Sequence, residues 1–274
     1  MSIILGIIVG LVLGLTGAGG SVFAVPLLML GLGWTLTQAA PVALIAVCAA
    51  ASFGTVVAWD VTYVRYRAAI LMAAAGFLTA PLGLMAASAI PRGLLTLLFA
   101  GVLLVVALRM IFQARQRPEE TRVVRATVTG DGGPGGGPIC RLNPATGRLI
   151  WTRPCAMLIS AIGVVTGFLS GLLGVGGGFV IVPALRSATA LSVHSAVATS
   201  LMAIALTSAG TVIAGLAMGH PLPWRVALPF VLGSLAGMLA GRKLAPRIVG
   251  PVLQQGFAAL MLVTAGVLAT RTFI

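Results

Sequence analysis

Apolar residues run in long blocks along the chain, separated by short polar or glycine-rich joints. In the first half the blocks cover about 3–33, 38–59, 69–90 and 93–112. In the second they cover about 156–190, 193–217, 224–242 and 250–270. A membrane-spanning helix needs about 20 residues, within a range of about 17–25. The last three blocks of each half fit that length. The first block of each half is too long for one simple span. Glycines interrupt it at 17–20 and 174–178, and each side of the break is too short to span alone. Glycine weakens a helix by about 1 kcal/mol relative to alanine. Each such block is therefore either one broken helix or a re-entrant hairpin whose halves meet near mid-membrane.

The two halves share one design. "GLVLGLTGAGGSVFAVPLL" at 10–28 matches "GFLSGLLGVGGGFVIVPAL" at 167–185 without a gap. Gly10, Gly14, Gly17, Gly19, Gly20 and Pro26 fall on Gly167, Gly171, Gly174, Gly176, Gly177 and Pro183. Ser21 falls on Gly178. Downstream, Ser52, Gly54 and Thr55 meet Ser208, Gly210 and Thr211, and Gln38 meets His194. A third helix matches weakly through Gly83 and Gly237. Such internal repeats are a common ground plan of membrane transporters. The expected fold is an all-α polytopic membrane protein. It has two homologous repeats of about four helical elements, the first broken or re-entrant at its glycine motif.

Composition agrees: 59% of residues are hydrophobic and only 8% are charged, against roughly 25% charged in soluble proteins. The net charge of +13 reflects arginines in loops and one central segment, the pattern of cytoplasmic loops. Nucleic-acid binding is not expected. The first 20 residues have an apolar run but no basic region before it. The same motif recurs mid-chain, so a cleaved leader is not expected.

Arginine placement also bears on repeat orientation. If the broken elements cross once, the halves are parallel and one side carries 12 of the 17 Lys and Arg. If they re-enter, the halves are inverted and the split becomes 14 to 3. The positive-inside rule favours inversion.

Three regions follow: membrane repeat 1 at 1–112, a linker at 113–153 and membrane repeat 2 at 154–274. The linker is rich in Gly, Pro and Arg and reads as cytoplasmic. Its end, "ICRLNPATGRLIWT", alternates around a turn and predicts a β-hairpin. Cys48, Cys140 and Cys155 fit no metal motif and read as unpaired structural thiols.

The candidate chemistry lies at the breaks. Irregular backbone inside a membrane is tolerated only within protein or beside a water-filled cavity. A helix restarting after each break presents free N–H groups and the positive end of its dipole, a ready anion site. Gly10, Gly14, Gly167 and Gly171 have the spacing of packing notches. The denser set Gly17, Gly19, Gly20, Ser21 and Gly174, Gly176, Gly177, Gly178 reads as a backbone-lined anion site. Ser52, Thr55, Ser208 and Thr211 could complete its hydrogen bonds. Gln38 and His194 are weaker candidates. No carboxylate lies well inside a span, no nucleophile–base pair is visible and the two histidines lack metal spacing. Neither an enzyme nor a cofactor or metal site is expected.

At these motifs, with "ATSLMAIALTSAGTVIAG" following, the chain resembles the sulfite exporter TauE/SafE family, also called the toluene-sulfonate uptake permease family. The resemblance covers both apolar halves. It implies a multi-pass secondary transporter of a small anion, a sulfur oxyanion or organosulfonate such as sulfite, in the cytoplasmic membrane. Export needs no coupled ion, because an inside-negative potential drives anions out. The expected partners are the anion and the lipid bilayer, and a homo-oligomer is compatible with this reading. An anion channel or an accessory membrane subunit are the alternatives.

Overall fold

The computed structural model describes residues 1–16, 20–57, 65–116, 140, 151–189, 193–219, 222–248 and 251–273. Among these residues the chain forms ten α-helices. They are α1 (Ser2–Thr16), α2 (Ser21–Leu32), α3 (Leu36–Val57), α4 (Tyr66–Ala89) and α5 (Arg92–Gln116), then α6 (Arg153–Leu173), α7 (Gly178–Ala188), α8 (Val193–Ala217), α9 (Trp224–Ile248) and α10 (Pro251–Phe273). Five are long and apolar enough to cross a membrane: α3, α4, α6, and the stretches Ser195–Ala217 of α8 and Trp224–Leu244 of α9. The chain is a multi-pass membrane protein.

The first block of each half turns back on itself. Gly20, at the start of α2, lies against the backbone of Leu13. Gly31, near the end of α2, lies against the side chain of Leu5. In a continuous helix residues 13 and 20 would be about 10 Å apart. The contacts 13 with 20 and 5 with 31 make α1 and α2 an antiparallel hairpin. The second copy behaves alike. Gly177 lies against Thr166, where a straight helix would separate them by about 16 Å. These contacts are those of a hairpin, not of one continuous helix.

The long arms of the hairpins are held by the opposite half of the chain. Gly6, Gly10 and Gly14 of α1 face the carbonyls of Phe230, Ser234 and Met238 on α9. Gly163, Gly167 and Gly171 of α6 face those of Met72, Gly76 and Ala80 on α4. At each of these positions a Cβ would strike backbone of the facing helix. The glycines are therefore what lets the helices touch, as their spacing implied. Helix α3 crosses α8 in the opposite sense: Cys48 Sγ donates to the Ala205 carbonyl at 3.5 Å, and Gly54 meets Leu201. Helix α3 runs along α9, with Ser234 Oγ donating to Ala46 O at 3.4 Å. Helix α4 runs along α8: the Arg65 N–H donates to Thr199 Oγ1 at 3.0 Å, and Gly76 meets Thr207. Thus α1, α3 and α9 point one way and α4, α6 and α8 the other. Helices α5 and α10 pack on each other.

One expectation fails. Cys140 and Cys155 form a disulfide, with an S–S distance of 1.97 Å and Cα atoms 5.1 Å apart. They are not unpaired thiols; only Cys48 is free. Cys155 sits in the first turn of α6, and Cys140 makes a parallel bridge to Thr189 just after α7. The two ends of the second hairpin are thereby brought to one place, which spacing along the chain could not reveal. The β-hairpin expected around 139–152 falls mostly outside the described residues.

Two measurements check this architecture. Gly167→Leu should cost about 3 kcal/mol or more by forcing α6 off α4, read as a lowered thermal midpoint in detergent. Gly101→Ala, at a position with open space around it, should not lower it. Alkylation before reduction should tag Cys48 alone, and after reduction all three cysteines.

Candidate functional site

The bend of the second hairpin is built by three left-handed glycines. Gly174, Gly176 and Gly177 have φ of 71°, 74° and 68°, a region closed to most side chains but free to glycine. Gly174 caps the C-terminus of α6, donating to Ser170 O at 2.9 Å. Helix α7 begins at Gly178, and no side chain caps it. Its first N–H groups have no acceptor within the helix, and they carry the positive end of its dipole.

The bend is pushed between α3 and α8, next to their crossing. Gly174 faces Ala40 of α3. A Cβ on Gly176 would lie 2.6 Å from Ser208 Oγ and 3.3 Å from Val47 Cγ1. Ser208 is fully buried, and its hydroxyl has no hydrogen-bond partner. Leaving a buried hydroxyl unpaired costs about 1–3 kcal/mol, so such an atom asks for an explanation. Here it faces the glycine bend at Gly176.

A cavity of about 150 Å³ reaches the bend. Thr37, Ala40, Leu84, Gly171, Gly174 and Thr211 are among its walls. It lies at the end of the bundle where α3 begins and where α4 and α8 finish. A larger cavity of about 310 Å³ lies beside the α2–α3 turn, lined by Met29, Trp34 and Thr96 among others. Among the described residues it touches neither bend and has no charged wall, so its size gives it no priority.

The remaining candidates are placed differently. Gly17 and Gly19 lie outside the described residues. Gly20 is right-handed at φ −67°, unlike its match Gly177, and Ser21 is fully buried as the first residue of α2. Thr55 Oγ1 donates to Ala51 O at 2.8 Å. Thr211 Oγ1 donates to Thr207 O at 2.9 Å and lies 3.0 Å from Ser170 Oγ. Both threonine protons thus serve their own helices. Ser52 is exposed. Gln38 is exposed at the start of α3, where its Oε1 accepts from the Thr35 N–H at 3.2 Å, a capping contact. His194 is the second residue of α8, and its side chain is outside the description. The structure therefore joins Gly174, Gly176, Gly177, Gly178 and Ser208, with Thr211 on the adjoining cavity wall. Sequence reasoning missed Ser170, which precedes Gly171 in the α6 stripe. Only the glycines of that stripe were weighed.

A buried hydroxyl thus lies against a glycine bend within a bundle that has five helices long and apolar enough to cross a membrane. The chain belongs to the sulfite exporter TauE/SafE family, whose profile, described as "Sulfite exporter TauE/SafE", matches residues 2–268. Two relatives from Xylella fastidiosa are each named "Probable membrane transporter protein". The one from strain 9a5c is 31% identical over 242 residues, covering 88% of this chain and 82% of its own. The one from strain Temecula1 is 30% identical over 243 residues with the same coverage. A probable membrane transporter of Methanocaldococcus jannaschii is 39% identical over 97 residues, 31% of this chain and 36% of its own. No solved structure matches.

The Ser170–Thr211 contact yields a check of the scaffold. Ser170→Ala and Thr211→Val should each cost about 1 kcal/mol in unfolding free energy. The double variant should cost less than their sum, because both remove one bond.

Proposed function

We propose that this transporter moves a small anion, a sulfur oxyanion or organosulfonate such as sulfite, and that export is its direction. The observation that carries the site is Ser208. Its unpaired hydroxyl lies against Gly176, in the bend from which α7 starts at Gly178, and hydroxyl and amide N–H groups can both donate. Neutral donors suit an anion that must also be released. The description of the family as sulfite exporters supports the substrate class. Export needs no acidic partner: an inside-negative potential favours anion exit by about 2.3 kcal/mol per charge per 100 mV.

We also propose that the chain is an inverted repeat. Support comes from matched contacts: Gly10 stands on Ser234 as Gly167 stands on Gly76. The opposed directions of α1 and α6 support it too. The contacts favour pairing Gly83 with Gly241 rather than Gly237. Gly83 stands on Phe168 and Gly171, Gly241 on the matching Leu11 and Gly14, and Gly237 one turn earlier on Ile7. In this arrangement the first hairpin supplies a second half-site from Gly17, Gly19, Gly20, Ser21, Ser52 and Thr55.

The ends of α3 and α9 and the central segment 113–153 would face the cytoplasm in the cytoplasmic membrane. Fourteen of the 17 basic residues gather at that end in the inverted arrangement. The Cys140–Cys155 disulfide lies at the same end and argues the other way, since the cytosol keeps thiols reduced. The charge bias carries more weight, because it is repeated over several separate loops.

Ser208→Ala tests the site. Its hydroxyl makes no internal bond, so the thermal midpoint should hold. Sulfite transport in proteoliposomes should fall about tenfold, the value of one hydrogen bond to a charged group. Unchanged transport would remove the site. Gly177→Val is a poorer test, since its Cβ would strike Thr166.

A further inference from the structure

The two cavities described above are neighbours. Leu36, Thr37 and Leu95 are walls of both. The smaller cavity continues past Leu84 and Gly171 to Gly174 and Thr211, at the second bend. The larger one continues the other way, past Trp34 and Thr96 to Met29 and Leu268. Its walls Thr35, Thr37 and Gly93 are exposed, so it opens to the surface. Leu36 and Leu95 are buried. Two leucine side chains thus stand where a chamber open to the outside meets a chamber that touches the bend.

We propose that the larger cavity is the outer vestibule for the ligand of the second bend, and that Leu36 and Leu95 form the apolar neck between the two. The ligand is a small oxyanion or sulfonate, so the proposal rests on the anion reading above. A bend enclosed by protein needs such a path, because its anion must exchange with water. The volumes suit a stepwise loss of hydration. At about 30 Å³ per water, 310 Å³ holds about ten waters and 150 Å³ about five. Hydroxyls line the outer chamber: Thr35 Oγ1 lies 3.1 Å from Thr37 Oγ1, and Thr96 is a further wall. Such neutral groups steady an anion without trapping it. Narrow apolar constrictions gate polar solutes by dewetting, and two leucines supply one here. The neck also lies where the bundle can give. Leu36 opens α3, three residues after Gly33 closes α2 with a φ of 67°. Leu95 is in the first turn of α5, a helix that leans far more on α10 than on α3. A shift of α5 with α10 would widen the neck and leave the glycine contacts of both hairpins untouched. The competing account opens the smaller cavity directly to water past Leu216 and Leu222 and leaves the larger one to lipid.

The test uses the full-length chain in oriented proteoliposomes, with Cys48→Ala and Thr211→Cys introduced together. Cys140 and Cys155 are paired, so the new thiol alone reports. A small anionic methanethiosulfonate that cannot cross the membrane is added at the end where α3 begins. Leu30→Trp, which fills the larger cavity from α2, should slow labelling about tenfold, a barrier raised by about 1.4 kcal/mol. Leu36→Ala should speed labelling by a similar factor. With Thr211 native, Leu30→Trp should also slow sulfite transport about tenfold, while sulfite affinity in detergent holds because the bend is unchanged. Unchanged labelling in a folded Leu30→Trp protein overturns the proposal in favour of the direct opening. If Leu30→Trp does not fold, unchanged labelling in Leu36→Ala overturns it. Labelling that responds to both variants in a protein that never binds sulfite keeps the vestibule and rejects sulfite as the anion.

Discussion

The fold depends on bare backbone meeting bare backbone. In lipid there is no hydrophobic drive between helices, so van der Waals contact must hold them. Gly6, Gly10 and Gly14 lay α1 on the carbonyls of α9; Gly163, Gly167 and Gly171 lay α6 on those of α4. Each hairpin is therefore fastened by its long arm to the other half of the chain. The two halves thus interlock through the long arms of their hairpins.

That fastening makes the bends admissible. A turn in the backbone cannot face hydrocarbon, because its N–H and C=O groups would be unpaired. With α6 fixed on α4, the bend at Gly174–Gly177 is pressed between α3 and α8, and protein surrounds it. What protein does not satisfy is then conspicuous. Thr55, Thr166, Thr207 and Thr211 all return their hydroxyl protons to carbonyls of their own helices. Ser208 does not. Among hydroxyls of similar burial, the one against the glycine bend is left over.

Much of this was legible in the sequence, for physical reasons that differ by residue. Gly10 and Gly167 could be read because four-residue glycine spacing has one common use in membrane helices. The bends could be located because glycine density there exceeds any packing need. Arginine placement favoured re-entry, but a local string such as "GVGGG" does not say where the chain goes next; contacts such as Gly20 with Leu13 carry the hairpin. The disulfide was hidden for the same reason, since Cys140 and Cys155 meet through the placement of α6. Gln38 drew notice as the match of His194, and its capping contact with the Thr35 N–H could not be told from that pairing.

If the two halves are an inverted repeat, as proposed, differences between the ends are what would give a symmetric frame a direction. Two hairpins related by a two-fold axis would offer an anion equal sites on equal terms. The chain departs from that at matched positions: Gly20 is right-handed where Gly177 is left-handed, Ser21 stands for Gly178, and Arg242 meets Gly14 where Leu84 meets Gly171. Each change is local and leaves the helix contacts intact. The half with left-handed glycines and an unpaired hydroxyl adjoins an apolar cavity. In the other half the Arg242 guanidinium donates to the Gly54 carbonyl. Under the proposed inverted repeat, one backbone plan would carry two different half-sites through a handful of side-chain differences rather than a second fold.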